Sequence, residues 1–220
     1  MPPKKAIELT LRILFFIISI VYLYVVFMRI DSIKTFVISL SIVVLVFYYT
    51  LKVKKNENLI LIAFLLTIVG GVFSVFKKFY LLSVVLFFFE HVFFIILINS
   101  YIRLKGRKGI PLYMLLFLFF FILLFSIIYG GVEKDVAYYI VLIYGITSFT
   151  LGAIAFANFL YKMNKANFLL LLGFFLSIAS DSVYAIDLLD QNNSYYLFLA
   201  ELLYLISYTA IYVGFTKKSE

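Results

Sequence analysis

Residues 167–189 read NFLLLLGFFLSIASDSVYAIDLL. This stretch is apolar over the roughly 20 residues that a transmembrane helix needs, so it predicts a membrane span. Its second half nevertheless carries Ser177, Ser180, Asp181 and Ser182. A charged side chain in hydrocarbon costs about 2.5 kcal/mol or more, so an intramembrane Asp indicates a functional site by default. The alternatives are an Asp that ties two helices together and a protonated Asp whose hydrogen bonds are satisfied.

Hydroxyl groups surround Asp181 along its own predicted helix. Ser177, Ser180, Ser182 and Tyr184 lie within four residues of it on either side. We expect these hydroxyls to hydrogen-bond the carboxyl group and to line a small polar cavity.

The composition is that of a membrane protein. The 220 residues are 65% hydrophobic and the mean hydropathy is +1.14, which excludes a soluble domain. The chain has no Cys and one His, so a disulfide framework, a thiol nucleophile and a Cys or His metal site are excluded, and we expect no cofactor. The net charge of +8 comes largely from loop residues. We expect these cations to face anionic lipid headgroups and expect no nucleic-acid partner.

Repeated apolar runs separated by short charged loops predict an all-α, polytopic bundle of eight transmembrane helices with both termini in the cytoplasm. Few residues precede the first run or follow the last, so we expect a single membrane-embedded domain over residues 1–220. The predicted spans are about 9–28, 36–51, 59–76, 79–98, 111–129, 136–161, 167–188 and 195–215.

The orientation follows from the basic residues. With eight spans, 14 of the 19 Lys and Arg residues fall on the side of the termini and 5 on the other side. Because cytoplasmic loops carry the excess of Lys and Arg, this asymmetry places both termini in the cytoplasm. We expect an integral protein of a bacterial inner membrane.

Ionisable residues inside the spans are the candidate site residues: Glu90, His91, Asp181 and Glu201. At about 1.5 Å rise per residue, Asp181 and Glu201 each lie roughly 9 Å from the outer end of the hydrocarbon. The two carboxyls therefore share a depth on consecutive helices. The alternatives are that Glu201 reaches solvent and that His91 is a helix-to-helix hydrogen-bond donor. Glu90 points about a quarter-turn away from His91, so both cannot fully face one pocket.

Other residues could complete a pocket. Gly70 and Gly71 near the midplane would let a helix or a ligand come close. Tyr144, Tyr204 and Tyr208 could add hydroxyl groups, although Tyr is abundant in this chain.

Two segments resemble the YhhN family, the lysoplasmalogenase-like membrane proteins. LGFFLSIASDSVYAIDLL is similar to that family's G-a-l-l-F-x-x-S-D-x-x-L-A signature at Gly173, Ser180, Asp181 and Ala185. LLSVVLFFFEHVFFIILI is similar to the family's His-containing segment at His91. Tyr144 and Tyr204 also fall where the family tends to carry Tyr.

Three positions depart from the family pattern. The Gly-Asp of the third span is Gly70-Gly71 here, so its acid is missing. A Gly of the fourth span is Ser83, and a Gln expected after Tyr204 is Tyr208. If the family chemistry needs two acids, this chain has either lost activity or uses Glu90 or Glu201 instead.

The resemblance implies a hydrolase that splits the vinyl ether of a lysoplasmalogen into an aldehyde and a glycerophospho-base. It implies Asp181 and His91 as catalytic residues. From the remaining candidates we expect substrate contacts: Ser180, Tyr184, Glu201, Tyr204, Tyr208, Tyr144, Glu90, Gly70 and Gly71. Vinyl ether hydrolysis needs one protonated carboxyl to protonate carbon and a second, ionised group to stabilise the cation or activate water. The implied partner is a membrane lysophospholipid. The alternatives are a non-catalytic relative that binds a lysolipid or other small amphiphile, and a small carrier.

The predicted topology can be tested with reporter fusions. Reporters fused after Lys55, Lys108 and Glu220 should read cytoplasmic, and those fused near Lys78 and Glu133 should read periplasmic, because of the asymmetry in Lys and Arg. Paired alkaline phosphatase and fluorescent protein fusions measure both sides. A periplasmic carboxyl terminus would overturn the eight-span arrangement.

Overall fold

The computed structural model describes residues 3–52, 58–74, 76–101, 109–130, 134–189 and 194–219. Eight α-helices and one short 3₁₀-helix (Lys77–Phe79) form this part of the chain, and none of it is strand. The helices are α1 (Pro3–Phe27), α2 (Asp31–Lys52), α3 (Asn58–Ser74), α4 (Tyr80–Tyr101), α5 (Ile110–Tyr129), α6 (Val136–Tyr161), α7 (Lys165–Leu189) and α8 (Ser194–Ser219).

The predicted all-α membrane fold is confirmed at this level. Among the described residues, six helices are long and apolar enough to cross a membrane: α1 and α4 to α8. The apolar parts of α2 (Phe36–Tyr48) and α3 (Asn58–Ser74) are shorter. The eight-span count and the side of the termini stay predictions. Many of the loop cations behind that orientation, within residues 53–57 and 102–108, lie outside the described residues.

Successive helices run in opposite directions, as short connections require. In the α7–α8 pair, Ser180 contacts Ala200 while Gly173, two turns earlier, lies against Ile211. The bundle therefore has two ends. We call the end where α7 finishes and α8 begins the acid end, and the end where α1 begins and α8 finishes the terminal end.

The centre of the bundle is a cluster of aromatic rings from four helices. Phe94 of α4 is fully buried and meets Phe64 of α3 and Phe174 of α7 edge-to-face, with ring centroids 6.1 Å and 5.5 Å away. It stacks on Phe215 of α8 at 5.6 Å. Each such pair contributes about 0.5–1.5 kcal/mol beyond burial. Because lipid is as apolar as these rings, close packing rather than exclusion from water favours their association.

The α5 helix lies at the edge of the bundle and packs mainly on α6. Its buried residues are Phe117, Phe121 and Phe125, spaced four residues apart so that they share one helical face. Gly145 of α6 makes room for Phe121, since a Cβ there would lie 2.3 Å from the ring. One face of α5 therefore closes the side of the bundle.

The tight α7–α8 contact depends on Gly173. A Cβ at this position would lie 2.6 Å from Ile211 Cγ1 and 2.9 Å from both Ile211 N and Ser207 O. Two of these atoms belong to the backbone, so relief would require moving a helix. Gly173→Ala should therefore destabilise the protein by about 1–3 kcal/mol, seen as a lower melting temperature in detergent.

Gly71 provides the matched control for this substitution. The atom nearest to a Cβ at Gly71 is Tyr204 Oη, at 4.0 Å, so Gly71→Ala should leave the melting temperature unchanged or raise it slightly. Equal melting temperatures for the two variants would contradict the proposed tight contact.

Candidate functional site

A cavity of about 70 Å³ lies toward the acid end of the bundle. We call it the acid cavity, because Asp181 and Glu201 both line it. Its full lining is Ile38, Gly71, Ser74, Phe87, Tyr144, Ser177, Ser180, Asp181, Tyr184, Ala200, Glu201, Tyr204 and Tyr208. Eight of the predicted site residues are in this lining, whereas Glu90, His91 and Gly70 are not.

Asp181 is held by a hydroxyl from another helix. Tyr144 Oη of α6 donates a hydrogen bond to Asp181 Oδ2 at 2.7 Å. Two of the three serines expected to bond Asp181 donate elsewhere: Ser180 Oγ to Ala200 O and Ser182 Oγ to Ile178 O, each at 2.8 Å. A serine in a helix readily bonds a carbonyl of its own or a neighbouring helix, which leaves the carboxyl of Asp181 to the tyrosine.

The second acid of the cavity has a cationic partner. Lys34 Nζ of α2 lies 3.0 Å from Glu201 Oε1. The side chains of Lys34 and Glu201 are 11% and 13% exposed, so this is a largely buried ion pair. Glu201 thus does not simply reach solvent. The two acids of the cavity have different partners, because Asp181 is bonded by a neutral hydroxyl and Glu201 by an ammonium group.

The bond from Ser180 to the Ala200 carbonyl sets the register of the two acids. Ser180 directly precedes Asp181, and Ala200 directly precedes Glu201. Both partners of this 2.8 Å bond are buried. It therefore brings the two acids to the same level of adjacent helices, the level that helix rise alone predicts for them.

His91 contacts the cavity through Tyr144. Its Nδ1 lies 2.7 Å from Phe87 O, and because a carbonyl oxygen can only accept, Nδ1 must be the donor. A neutral imidazole then has Nε2 as its acceptor. The ring packs edge-to-face on Tyr144 with centroids 5.2 Å apart. His91 therefore supports the tyrosine that bonds Asp181.

Glu90 is fully buried and points toward a different helix. Tyr208 Oη of α8 donates to Glu90 Oε1 at 2.6 Å, whereas Glu90 Oε2 has no hydrogen-bond partner in the described part of the chain. The adjacent residues Glu90 and His91 thus contact different helices, since Glu90 is bonded by α8 and His91 packs on α6. Among the described residues, Tyr208 links Glu90 to the acid cavity.

The two glycines of α3 have different surroundings. A Cβ on Gly70 would lie 3.0 Å from the Phe87 ring, whereas the atom nearest to a Cβ on Gly71 would be Tyr204 Oη, at 4.0 Å. Gly70 is therefore a close helix contact. Gly71, where the family resemblance leads us to expect an acid, lines the acid cavity.

A second cavity, of about 120 Å³, adjoins the first. We call it the apolar cavity, because Phe121, Leu124, Phe125 and Ile128 of α5 form one of its walls. The residues that it shares with the acid cavity are Ser74, Phe87, Tyr144, Asp181 and Tyr184. Asp181 is therefore positioned where a polar cavity meets an apolar one.

Sequence reasoning missed Lys34 and the contribution of α5. In the sequence Lys34 is one of the five cations on the side away from the termini, and its position one turn into α2 at the acid end is a usable signal. The α5 wall consists of Phe121, Leu124, Phe125, Ile128 and Tyr129. Apart from the Tyr129 hydroxyl, these residues look like any lipid-facing run. Across the described ranges, no group of three or more His, Asp or Glu residues is placed to hold a metal ion.

The bond from Tyr208 to Glu90 should be important for stability. Tyr208→Phe leaves both oxygens of a buried carboxyl group without a partner, so it should cost about 1–3 kcal/mol. Tyr204→Phe is the matched control, because the Tyr204 hydroxyl is buried with no partner among the described residues. Thermal unfolding in detergent measures both. If the bond matters, Glu90→Leu combined with Tyr208→Phe should recover stability, and equal behaviour of the two Tyr→Phe variants would contradict it.

Comparison with known proteins identifies the family of the chain. The YhhN family model matches residues 33–215, a range that includes every residue of the acid and apolar cavities. No curated protein and no solved structure matches the chain. The match covers most of the chain, from the start of α2 almost to the end of α8, and so the protein belongs to the YhhN family.

Proposed function

We propose that this protein is a membrane hydrolase of the lysoplasmalogenase type, cleaving a lysoplasmalogen vinyl ether to an aldehyde and a glycerophospho-base. The observation that carries the proposal is the pair Asp181 and Glu201, two acids with different partners on one small cavity. Acid–base hydrolysis uses two such groups, one to give a proton and one to take a proton. The activity associated with the family supplies the substrate.

Asp181 is assigned the role of acid. It has no cationic partner within the described residues, and it lines both cavities. In the proposed first step its proton goes to the vinyl carbon farther from the ether oxygen, and the carbon bonded to oxygen becomes part of an oxocarbenium ion. Tyr144 orients the carboxyl group through its 2.7 Å bond, and His91 supports Tyr144.

Glu201 is assigned the role of base. Its carboxyl oxygen lies 3.0 Å from the Lys34 ammonium nitrogen, the contact expected of a carboxylate. It takes a proton from the water that attacks the oxocarbenium carbon, and a hemiacetal forms. Collapse of the hemiacetal breaks the bond between carbon and the glycerol oxygen, which takes up a proton as the aldehyde forms. Proton exchange with solvent returns both acids to their starting states, so one water is consumed in each cycle.

The apolar cavity suits a lipid substrate. A vinyl ether lies just inside the headgroups of its lipid, and Asp181 lies near the acid end of α7, roughly 9 Å inside the hydrocarbon. The alkenyl chain would then enter between Asp181 and the α5 wall. The predicted orientation, with both termini in the cytoplasm of a bacterial cell, would place this site in the outer leaflet of the inner membrane.

The glycine at position 71 favours a second function, lysolipid binding without cleavage. Without the family acid at this position, the chain could bind a lysolipid without cleaving it. In the proposed mechanism Glu201, which lines the same cavity as Gly71, takes the place of that acid. A small carrier has no support from internal repeats in the sequence.

Turnover of purified protein separates hydrolysis from binding. The wild type should release aldehyde from a vinyl-ether lysolipid and none from its saturated-ether analogue, which cannot form the oxocarbenium ion by protonation. Asp181→Asn should lower the rate at least about 10²-fold because it removes the proton donor, with lysolipid binding little changed. Asp187→Asn, the same change farther along α7 and outside both cavities, should keep the rate.

The role of Glu201 is tested in the same assay. Glu201→Gln should also lose at least about 10²-fold, and adding Gly71→Asp should restore part of the rate by returning a carboxylate to the cavity. If Glu201→Gln melts early because Lys34 is left unpaired, Lys34→Gln with Glu201→Gln provides a neutral background. Undiminished turnover in Asp181→Asn would refute the acid, and a wild type without turnover would support the binding protein.

A further inference from the structure

A third cavity, of about 380 Å³, lies between α1, α2 and α8 toward the terminal end of the bundle. It shares no residue with the acid or apolar cavities. Its inner walls include Phe15, Val44 and Val213, whereas Arg12 and Lys217 bring two positive charges to it. We call it the arginine cavity. The proposed hydrolysis makes no use of it.

Arg12 is unusual because it is an exposed charge within an apolar span. The span begins at Ala6, so Arg12 lies about 9 Å along the helix axis, at 1.5 Å per residue. An Arg facing bare hydrocarbon is costly, and such side chains reach for the headgroup layer or for an anion. We therefore expect the Arg12 guanidinium group to bind an anion or to reach the lipid headgroups.

The protein satisfies only part of the Arg12 guanidinium group. Nε donates to Tyr48 Oη at 2.7 Å and Nη2 donates to the same oxygen. The guanidinium carbon also lies 5.2 Å from the centroid of the Tyr48 ring. One phenol oxygen thus takes two of the five N–H donors. Tyr48 holds the guanidinium in place and leaves further donors available.

Neither cation of the cavity is neutralised by an ion pair among the described residues. Glu8, one turn before Arg12 on α1, is close enough to act on the guanidinium group electrostatically, although no ion pair within 4.0 Å joins the two side chains. Lys217 is exposed near the end of α8, where the span itself finishes at Lys218. The cavity therefore combines two cations toward the terminal end of the bundle with apolar walls farther along α1 and α8.

We propose that the arginine cavity is a binding site for a membrane phospholipid with a net negative headgroup. Arg12 and Lys217 hold the phosphate, and an acyl chain lies along Phe15 and Val44. Guanidinium groups suit phosphate because several donors converge on its oxygens. The apolar walls favour a lipid over a soluble phosphate compound, which would have nothing to place against them. Such a lipid would join α1, α2 and α8 at the terminal end.

The test measures lipid affinity of the purified full chain in a neutral detergent. Phosphatidylglycerol, phosphatidylcholine and inorganic phosphate are titrated separately, and binding is followed by thermal stabilisation and by native mass spectrometry. Phosphatidylglycerol should raise the melting temperature saturably, with weaker binding of phosphatidylcholine and no effect of inorganic phosphate at matched ionic strength. Arg12→Gln and Lys217→Gln should each weaken phosphatidylglycerol binding about tenfold, as loss of a charge-assisted hydrogen bond predicts.

Two controls make the result decisive. Lys162→Gln removes an exposed cation at the same end of the bundle but outside the cavity, so it should leave phosphatidylglycerol binding unchanged. Lys217→Gln does not touch the bond between Arg12 and Tyr48, so it tests the site even if Arg12→Gln fails to fold. Equal affinities for the two lipids, unchanged binding in Lys217→Gln, or the same stabilisation by inorganic phosphate alone would each overturn the proposed lipid site.

Discussion

The close contact between α7 and α8 is the feature on which the acid cavity depends. Gly173 lets the two backbones approach, and the bond from Ser180 to the Ala200 carbonyl fixes how they are aligned. Asp181 and Glu201 follow directly after the two partners of that bond. A shift of one residue between the helices would turn one acid by about 100° around its helix axis. Gly173 and Ser180 therefore have a structural role, because they set how closely and in which register α7 and α8 pack.

A membrane interior also requires that each polar group find a partner within the protein. Three acids each have one partner across the bundle: Asp181 with Tyr144, Glu90 with Tyr208, and Glu201 with Lys34. The second oxygen of Glu90 has none among the described residues. Glu90 of α4 and Glu201 of α8 are each paired with a residue of a helix distant in sequence. Asp181 of α7 is paired with a residue of the preceding helix, α6. These bonds therefore join distant parts of the chain, and they leave each acid in a different electrostatic setting.

The two glycines of α3 differ in how closely they are packed. Gly70 is packed against Phe87, whereas the atom nearest to a Cβ on Gly71 would be Tyr204 Oη, at 4.0 Å. The Gly71 position on the acid cavity therefore has room for a Cβ. Glu201 of α8 lines the same cavity. Its ion pair with Lys34 provides a carboxylate there.

The apolar runs of the sequence are enough to predict a helical membrane protein, because long apolar runs have few alternatives in lipid. The sequence also identified Asp181 and Glu201 as acids of equal depth, since helix rise converts residue number into distance. It did not determine which hydroxyl bonds Asp181: four candidates stood on its own helix, and Tyr144 of α6 makes the bond. Nor did it pair Lys34 with Glu201, or separate the role of Gly70 from that of Gly71. Those outcomes depend on how the helices are rotated and which of them are neighbours, and in an apolar chain many rotations look alike until the tertiary packing selects one.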